Sequence, residues 1–324
     1  MKGIIIVVLA LTALAAAPAF AAWTYEGKWG SEGSANGQFY RPNGAAFAPA
    51  SNNVYVSDEN RRIQYFTAAG SYLGKWGSYG SGNGQFFDQT GIAVAADGNI
   101  YVADSSNNRI QYFTATGSYL GQWGSYGSGN GQFNWPTGII FAPANGNFYV
   151  ADTWNNRIQY FTAAGSYLGK WGSYGAGNSE FDKPMGVAVA PASGNIYVAD
   201  TYNHRVQYFT ATGSYLGEWG SAGSGNGQFD NPCSVAATPG GDIYVADHHN
   251  HRVQYFTANG SYLGQWGSLG SGNGQFNYPW GLCFNVSGSR IYVTDAYNHR
   301  VQYFNRNETA VVPASLGRVK ALFK

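Results

Sequence analysis

The chain has 324 residues, a formal net charge of +1 and only 11% charged side chains, yet its 17% aromatic content supplies ample surface to bury, which excludes a disordered chain. Glycine, at 46 residues, is about twice the usual ~7%, and together with the aromatic and β-branched residues it points to an all-β protein rich in turns. The two cysteines fit a scaffold that does not depend on disulfides.

In chain order, residues 1–21 read as an export signal: Lys2, an apolar run from Ile4 to Ala17, and a small-x-small cleavage site at Ala19-Phe20-Ala21. The apolar run is shorter than the ~20 residues of a membrane span, so the expectation is a secreted, periplasmic or cell-surface protein beginning at Ala22, with no transmembrane segment. A strand at Tyr25–Trp29 follows, and then repeats occupy residues 22–304. The phrase Arg-Ile/Val-Gln-Tyr-Phe occurs six times, with Gln at 64, 111, 159, 207, 254 and 302. The phrase Gly-x-Trp-Gly also occurs six times, with Trp at 29, 76, 123, 171, 219 and 266. Within one unit, Gly91–Ala95, Ile100–Ala103, Arg109–Phe113 and Tyr119–Trp123 read as four strands joined by hairpin turns. Apolar residues on both faces of several strands mark small sheets sandwiched between other sheets, and radial repetition of such sheets makes a β-propeller.

The ends are out of phase. The chain opens on a fourth strand and leaves the last repeat on a third, so the sixth blade lacks an outer strand that the N-terminus supplies. The predicted fold is therefore a closed six-bladed β-propeller of four-stranded antiparallel blades. The tail, 305–324, carries a net charge of +3, with Leu316, Val319 and Leu322 at helical spacing after Pro313, and predicts a short amphipathic helix.

The loop pattern Asp-x-x-Asn-x-Arg recurs in phase, with Asp104/Arg109, Asp152/Arg157, Asp200/Arg205, Asp247/Arg252 and Asp295/Arg300, and is one residue shorter at Asp58–Arg62. This pattern resembles the NHL repeat. An Asp closing one strand and an Arg opening the next suit a structural ion pair, and a pattern present in every blade does not suit a unique catalytic centre. His204, His251 and His299 share one loop position, on the order of 15 Å from the axis by the ~4.8 Å strand spacing, too far apart for one metal ion. Cys233 and Cys283 sit about three residues out of register, some ~10 Å along a strand, so they predict free thiols. No carboxylate, His or Lys lies in the channel-lining strands, so no catalytic residue, metal or cofactor is assigned.

One face collects aromatic side chains: Trp154, Tyr202 and Tyr297 from the short loops, Tyr79, Tyr126 and Tyr174 from the long Gly-rich connections, and Trp135, Tyr278 and Trp280 near the inner strands. His248 and His249 are the non-repeated titratable pair of that face. These residues predict a face for a protein, peptide or glycan ligand. Residues 23–304 hold 13 Lys+Arg against 16 Asp+Glu, a net of −3, which argues against the nucleic-acid binding that some NHL propellers perform. The expected function is a non-catalytic, exported binding scaffold. The alternatives are a structural matrix or surface protein, or a lyase: Asp58–Gln64 is similar to a segment of secreted NHL-like peptidyl-α-hydroxyglycine lyases, though no set of metal ligands accompanies it.

Overall fold

The computed structural model describes residues 23–307. The predicted leader and the predicted tail helix after Pro313 lie outside the described residues, whereas Asn305 and Arg306, read from the sequence as tail, extend the last strand. Six four-stranded antiparallel sheets are arranged in a ring. Their inner strands are Pro42–Ala48, Gln89–Val94, Pro136–Ala142, Pro184–Val189, Pro232–Ala237 and Pro279–Phe284, which define blades 1 to 6. Blade 2 continues outward through Ile100–Asp104, Arg109–Phe113 and Tyr119–Trp123. The other blades follow the same plan. Because each strand reverses direction, the Asp-x-x-Asn-x-Arg loops and the Gly-rich connections between blades share one face, called here the upper face.

Alternation along each strand explains the ring. The second and third strands are buried on both faces, as at Ile100–Asp104, because each blade is covered by its two neighbours. The outer strands alternate half-buried and exposed residues, as expected for the rim. The inner strands crowd about the axis: a side chain at Gly91 would collide with the Thr137 carbonyl of the next blade. The outer-strand tryptophans grip the next blade's hairpin, and a Cβ on Gly117, whose φ is +93°, would lie 2.6 Å from the Trp76 ring.

Trp23–Trp29 completes the sixth blade, pairing antiparallel with Arg300–Arg306 from Trp23↔Arg306 to Trp29↔Val301. The clasp predicted from the phase mismatch is therefore present, and it removes an open sheet edge. It leaves a local signature. Five buried tyrosines of the second strands donate to a carbonyl in the next blade's hairpin, among them Tyr149 to Ala211 at 2.9 Å and Tyr197 to Ala258 at 2.9 Å. Blade 6 has no such hairpin, since its third and outer strands come from opposite ends of the chain. Accordingly the Tyr244 hydroxyl finds no acceptor among the described residues. Trp23 fills the place instead, stacked on Trp266 at 5.6 Å and edge-on to Tyr244 at 5.5 Å.

Candidate binding face

The repeated loop motif is a closed hydrogen-bond network. In blade 3, one Asp152 oxygen accepts the Asn134 backbone N–H at 2.7 Å. The other accepts from Arg157 Nε at 2.7 Å, Asn155 Nδ2 at 2.9 Å and Gln159 Nε2 at 3.0 Å. The Arg157 guanidinium also donates to the carbonyls of Ser128, Gly129 and Gln132 at 2.6–2.8 Å. The motif thus pins each loop beneath the Gly-rich connection that crosses above it. The ion pair recurs at 2.8 Å for Asp104–Arg109, 2.7 Å for Asp200–Arg205, 2.6 Å for Asp247–Arg252 and 2.7 Å for Asp295–Arg300. Blade 1, with its shorter loop, makes the looser Asp58–Arg62 pair at 3.1 Å. Breaking such a buried pair by removing one partner costs about 3–5 kcal/mol.

The last loop residue, in the left-handed backbone region, fastens each blade to the next. Asn108 Oδ1 accepts the Trp135 N–H at 2.8 Å and Asn156 Oδ1 accepts the Lys183 N–H at 2.8 Å. His204, His251 and His299, which share this loop position, are half-buried and do the same with Nδ1. His204 accepts from Asn231 at 3.3 Å, His251 from Tyr278 at 3.1 Å and His299 from Arg41 at 3.2 Å, the last closing the ring. An accepting Nδ1 requires the neutral ring with its proton on Nε2.

Upon this constant framework sits a ring of variable pairs that the sequence reading missed. In every blade the residue preceding the inner strand has positive φ: Arg41 at +45°, Asp88 at +55°, Trp135 at +59°, Lys183 at +50°, Asn231 at +51° and Tyr278 at +57°. That backbone region favours Gly or Asn and costs bulky side chains about 1–2 kcal/mol. Each of these residues touches the variable loop residue of its own blade, and the residue pair differs from blade to blade. Arg41 pairs with Glu59 at 3.7 Å and Asp88 accepts from the Ser106 hydroxyl at 3.0 Å. The Trp135 and Trp154 rings lie 5.8 Å apart, and the Lys183 ammonium sits 4.3 Å from the centre of the Tyr202 ring. Asn231 Nδ2 meets His249 Nδ1 at 3.3 Å, and the Tyr278 and Tyr297 rings lie 4.9 Å apart. The position preceding the inner strand carries a different residue in each of the six repeats.

Of the predicted face residues, Trp154, Tyr202, Tyr297 and His249 are members of these pairs. Trp154 is 55% exposed, Tyr202 45% and Tyr297 43%. Tyr79, Tyr126 and Tyr174 stand in the Gly-rich connections and are more exposed still, and Tyr79 packs edge-on to Phe87 at 5.3 Å. His248, read from the sequence as part of the ligand face, is instead buried. It is only 8% exposed, wedged against Trp280 at 4.8 Å and Tyr278 at 4.9 Å, and its Nδ1–H donates to the Pro279 carbonyl at 3.0 Å. Ser105 and Thr153 make the matching bond to Pro136 at 2.7 Å and Pro184 at 2.8 Å with hydroxyls. Burial lowers the His248 pKa from 6.5 to about 4, keeping the ring neutral.

Below the ring of pairs lies a channel of about 340 Å³ lined by all six inner strands, with Met185 and Trp280 at its upper end and Pro49, Pro191 and Pro239 at its lower end. Its walls are mainly apolar, including Ile92, Ile139, Val187, Val235 and Leu282. Cys233 and Cys283 are free thiols, and burial raises both pKa values. Among the described residues no group of three or more His, Cys, Asp or Glu side chains converges as a metal site.

Fold and repeating network together define a six-bladed β-propeller. The chain belongs among the NHL-repeat propellers: the NHL repeat profile matches residues 90–113, 133–161, 181–209, 229–256 and 276–304. The matched spans begin with blade 2, in line with the shortened loop of blade 1. A search of curated proteins by sequence finds no match. Among solved structures the chain is similar to a gluconolactonase of Xanthomonas campestris, at 16% identity and a TM-score of 0.64, covering 88% of this chain and 97% of that one. It is similar to a streptogramin B lyase at 13% identity and a TM-score of 0.61, covering 88% and 98%. A chain of a nidogen/laminin complex matches at 19% identity and a TM-score of 0.54, covering 69% and 79%. At these identities the likeness shows the fold alone.

Proposed function

We propose that the protein is a non-catalytic binding scaffold that presents its upper face to a peptide, protein or glycan partner. The observation that supports this is a ring of variable, partly exposed paired positions set on a constant hydrogen-bonded framework. The Asp, Asn, Arg and Gln side chains of the motif are spent on each other and on backbone groups, so they hold the face rather than act on a ligand. Arg41, Trp135, Lys183 and Tyr278 occupy left-handed backbone that Asn or Gly would fill more cheaply, so their side chains have a use beyond folding. The exposed rings offer stacking surface beside polar groups, the combination that ligand sites use.

In this reading the protein works outside the cytoplasm, with Ala22 as its first mature residue. N-terminal sequencing of the exported protein tests that point.

The enzymatic alternative draws on the fold shared with a gluconolactonase and a streptogramin B lyase. Against it stands the channel, whose described lining offers no carboxylate, imidazole or amine for acid–base work. Peptide and glycan arrays probed with the purified protein test the binding reading. Binding that is lost in Trp154→Ala and Tyr202→Ala, without turnover of the bound ligand, is the expected result. Blank arrays, or binding that both variants retain, contradict it.

A further inference from the structure

We infer that the upper face takes one neutral oligosaccharide, laid across the channel mouth between two aromatic platforms, rather than six copies of a small ligand. The inference rests on the binding-face reading and names its ligand class. Six equivalent sites need six equivalent surfaces, and the pairs do not provide them, because only blades 3 and 6 carry an aromatic pair and the other four carry ionic, hydrogen-bonding or cation–ring pairs. A single ligand touching several blades meets a unique surface.

The two platforms lie three blades apart in a six-bladed ring, and so on opposite sides of the mouth. One is the Trp135/Trp154 pair of blade 3, extended by Tyr202 of blade 4, with Lys183 Nζ 5.8 Å from the Trp154 ring centre. The other is the Tyr278/Tyr297 pair of blade 6, with the Arg41 guanidinium 4.5 Å from the Tyr297 ring centre. Exposed flat rings match the C–H faces of pyranoses. The blades between them carry short groups that donate and accept, such as Ser106, Asn231 and His249, which match hydroxyl edges.

Charge decides against an anionic ligand. Arg41 is paired with Glu59 at 3.7 Å, Arg61 with Asp88 at 3.3 Å, and Lys183 rests over the Tyr202 ring at 4.3 Å. Among the described residues no cluster of unpaired cations remains at the mouth to hold phosphate, sulfate or uronate groups.

The test is calorimetric titration of the purified protein with cello-, chito-, manno-, xylo- and maltohexaose. The expected result is binding of at least one of them, one per chain, insensitive to added salt. Trp154→Ala and Tyr297→Ala should each weaken it about tenfold or more, whereas Trp154→Phe and Tyr297→Phe should retain most of it. Failure of all five sugars overturns the inference, as do several sugars bound per chain or affinity unmoved by Tyr297→Ala. A peptide that binds in place of sugars and is lost in Trp154→Ala overturns the glycan inference but leaves the binding-face reading standing. Blank sugar and peptide panels overturn both.

Discussion

His251 accepts the backbone N–H of Tyr278 on its Nδ1 at 3.1 Å, and so ties blade 5 to blade 6 with the bond that Asn156 makes to Lys183 between blades 3 and 4. The two side chains are interchangeable here because each places an acceptor the same short distance from a backbone held at φ near +55°, namely +55° for His251 and +52° for Asn156. His251→Asn should therefore leave thermal stability nearly unchanged. His251→Ala loses the acceptor and keeps the strained backbone, and should cost about 1–3 kcal/mol in denaturant unfolding. Equal stabilities for the two variants would show that the bond contributes nothing.

His248 ties the same pair of blades through a donor rather than an acceptor. Its pKa in the folded chain is lowered from 6.5 to about 4, so the unfolded chain binds the proton more tightly. The contribution is fully present above pH 6.5 and is lost as pH falls toward 4, a loss of roughly 3 kcal/mol over that window. Burial and neighbouring His249 lower the His251 pKa too, which adds loss of the same sign. His248→Thr supplies the hydroxyl that Thr153 uses at the matching seam. Unfolding curves between pH 7 and pH 4 should be flatter for this variant than for the parent, and parallel curves would contradict the assignment.

The clasp strand predicts an asymmetric weakness. Trp23 stacks on Trp266 and packs edge-on to Tyr244, beside Phe284, in the place that the other blades fill with a hairpin. Trp23→Ala should cost about 2–4 kcal/mol, somewhat less than a fully buried tryptophan because Trp23 is half-buried. Hydrogen exchange should quicken first in Arg300–Arg306, its pairing partner. Uniform quickening around the ring would show that closure does not depend on this strand.

Much of the fold was legible because it repeats. The period set the blade number, and the phase mismatch between Tyr25–Trp29 and Val301–Phe304 located the clasp. The proposed binding face was legible only in part. Trp154, Tyr202 and Tyr297 stood out as aromatic residues in polar loops, but their partners Trp135, Lys183 and Tyr278 lie some 19 residues away along the chain. What joins them is the pairing of inner and second strands, as in Pro136↔Asp152, which sets the two variable positions side by side. The role of His204, His251 and His299 was hidden for a related reason. The left-handed backbone that turns Nδ1 toward the next blade carries no mark in the sequence beyond the Asn found at the same position in two other repeats.

In the proposed function the variable pairs serve recognition and the constant network serves the fold. The most direct measurement transplants one pair onto another blade: Trp135→Asp with Trp154→Ser gives blade 3 the pair that blade 2 already carries. The account predicts a thermal midpoint within about 5 °C of the parent, since Asp tolerates the left-handed backbone, together with loss of ligand binding at the upper face. A large fall in the midpoint, or ligand binding that survives the exchange, would contradict it.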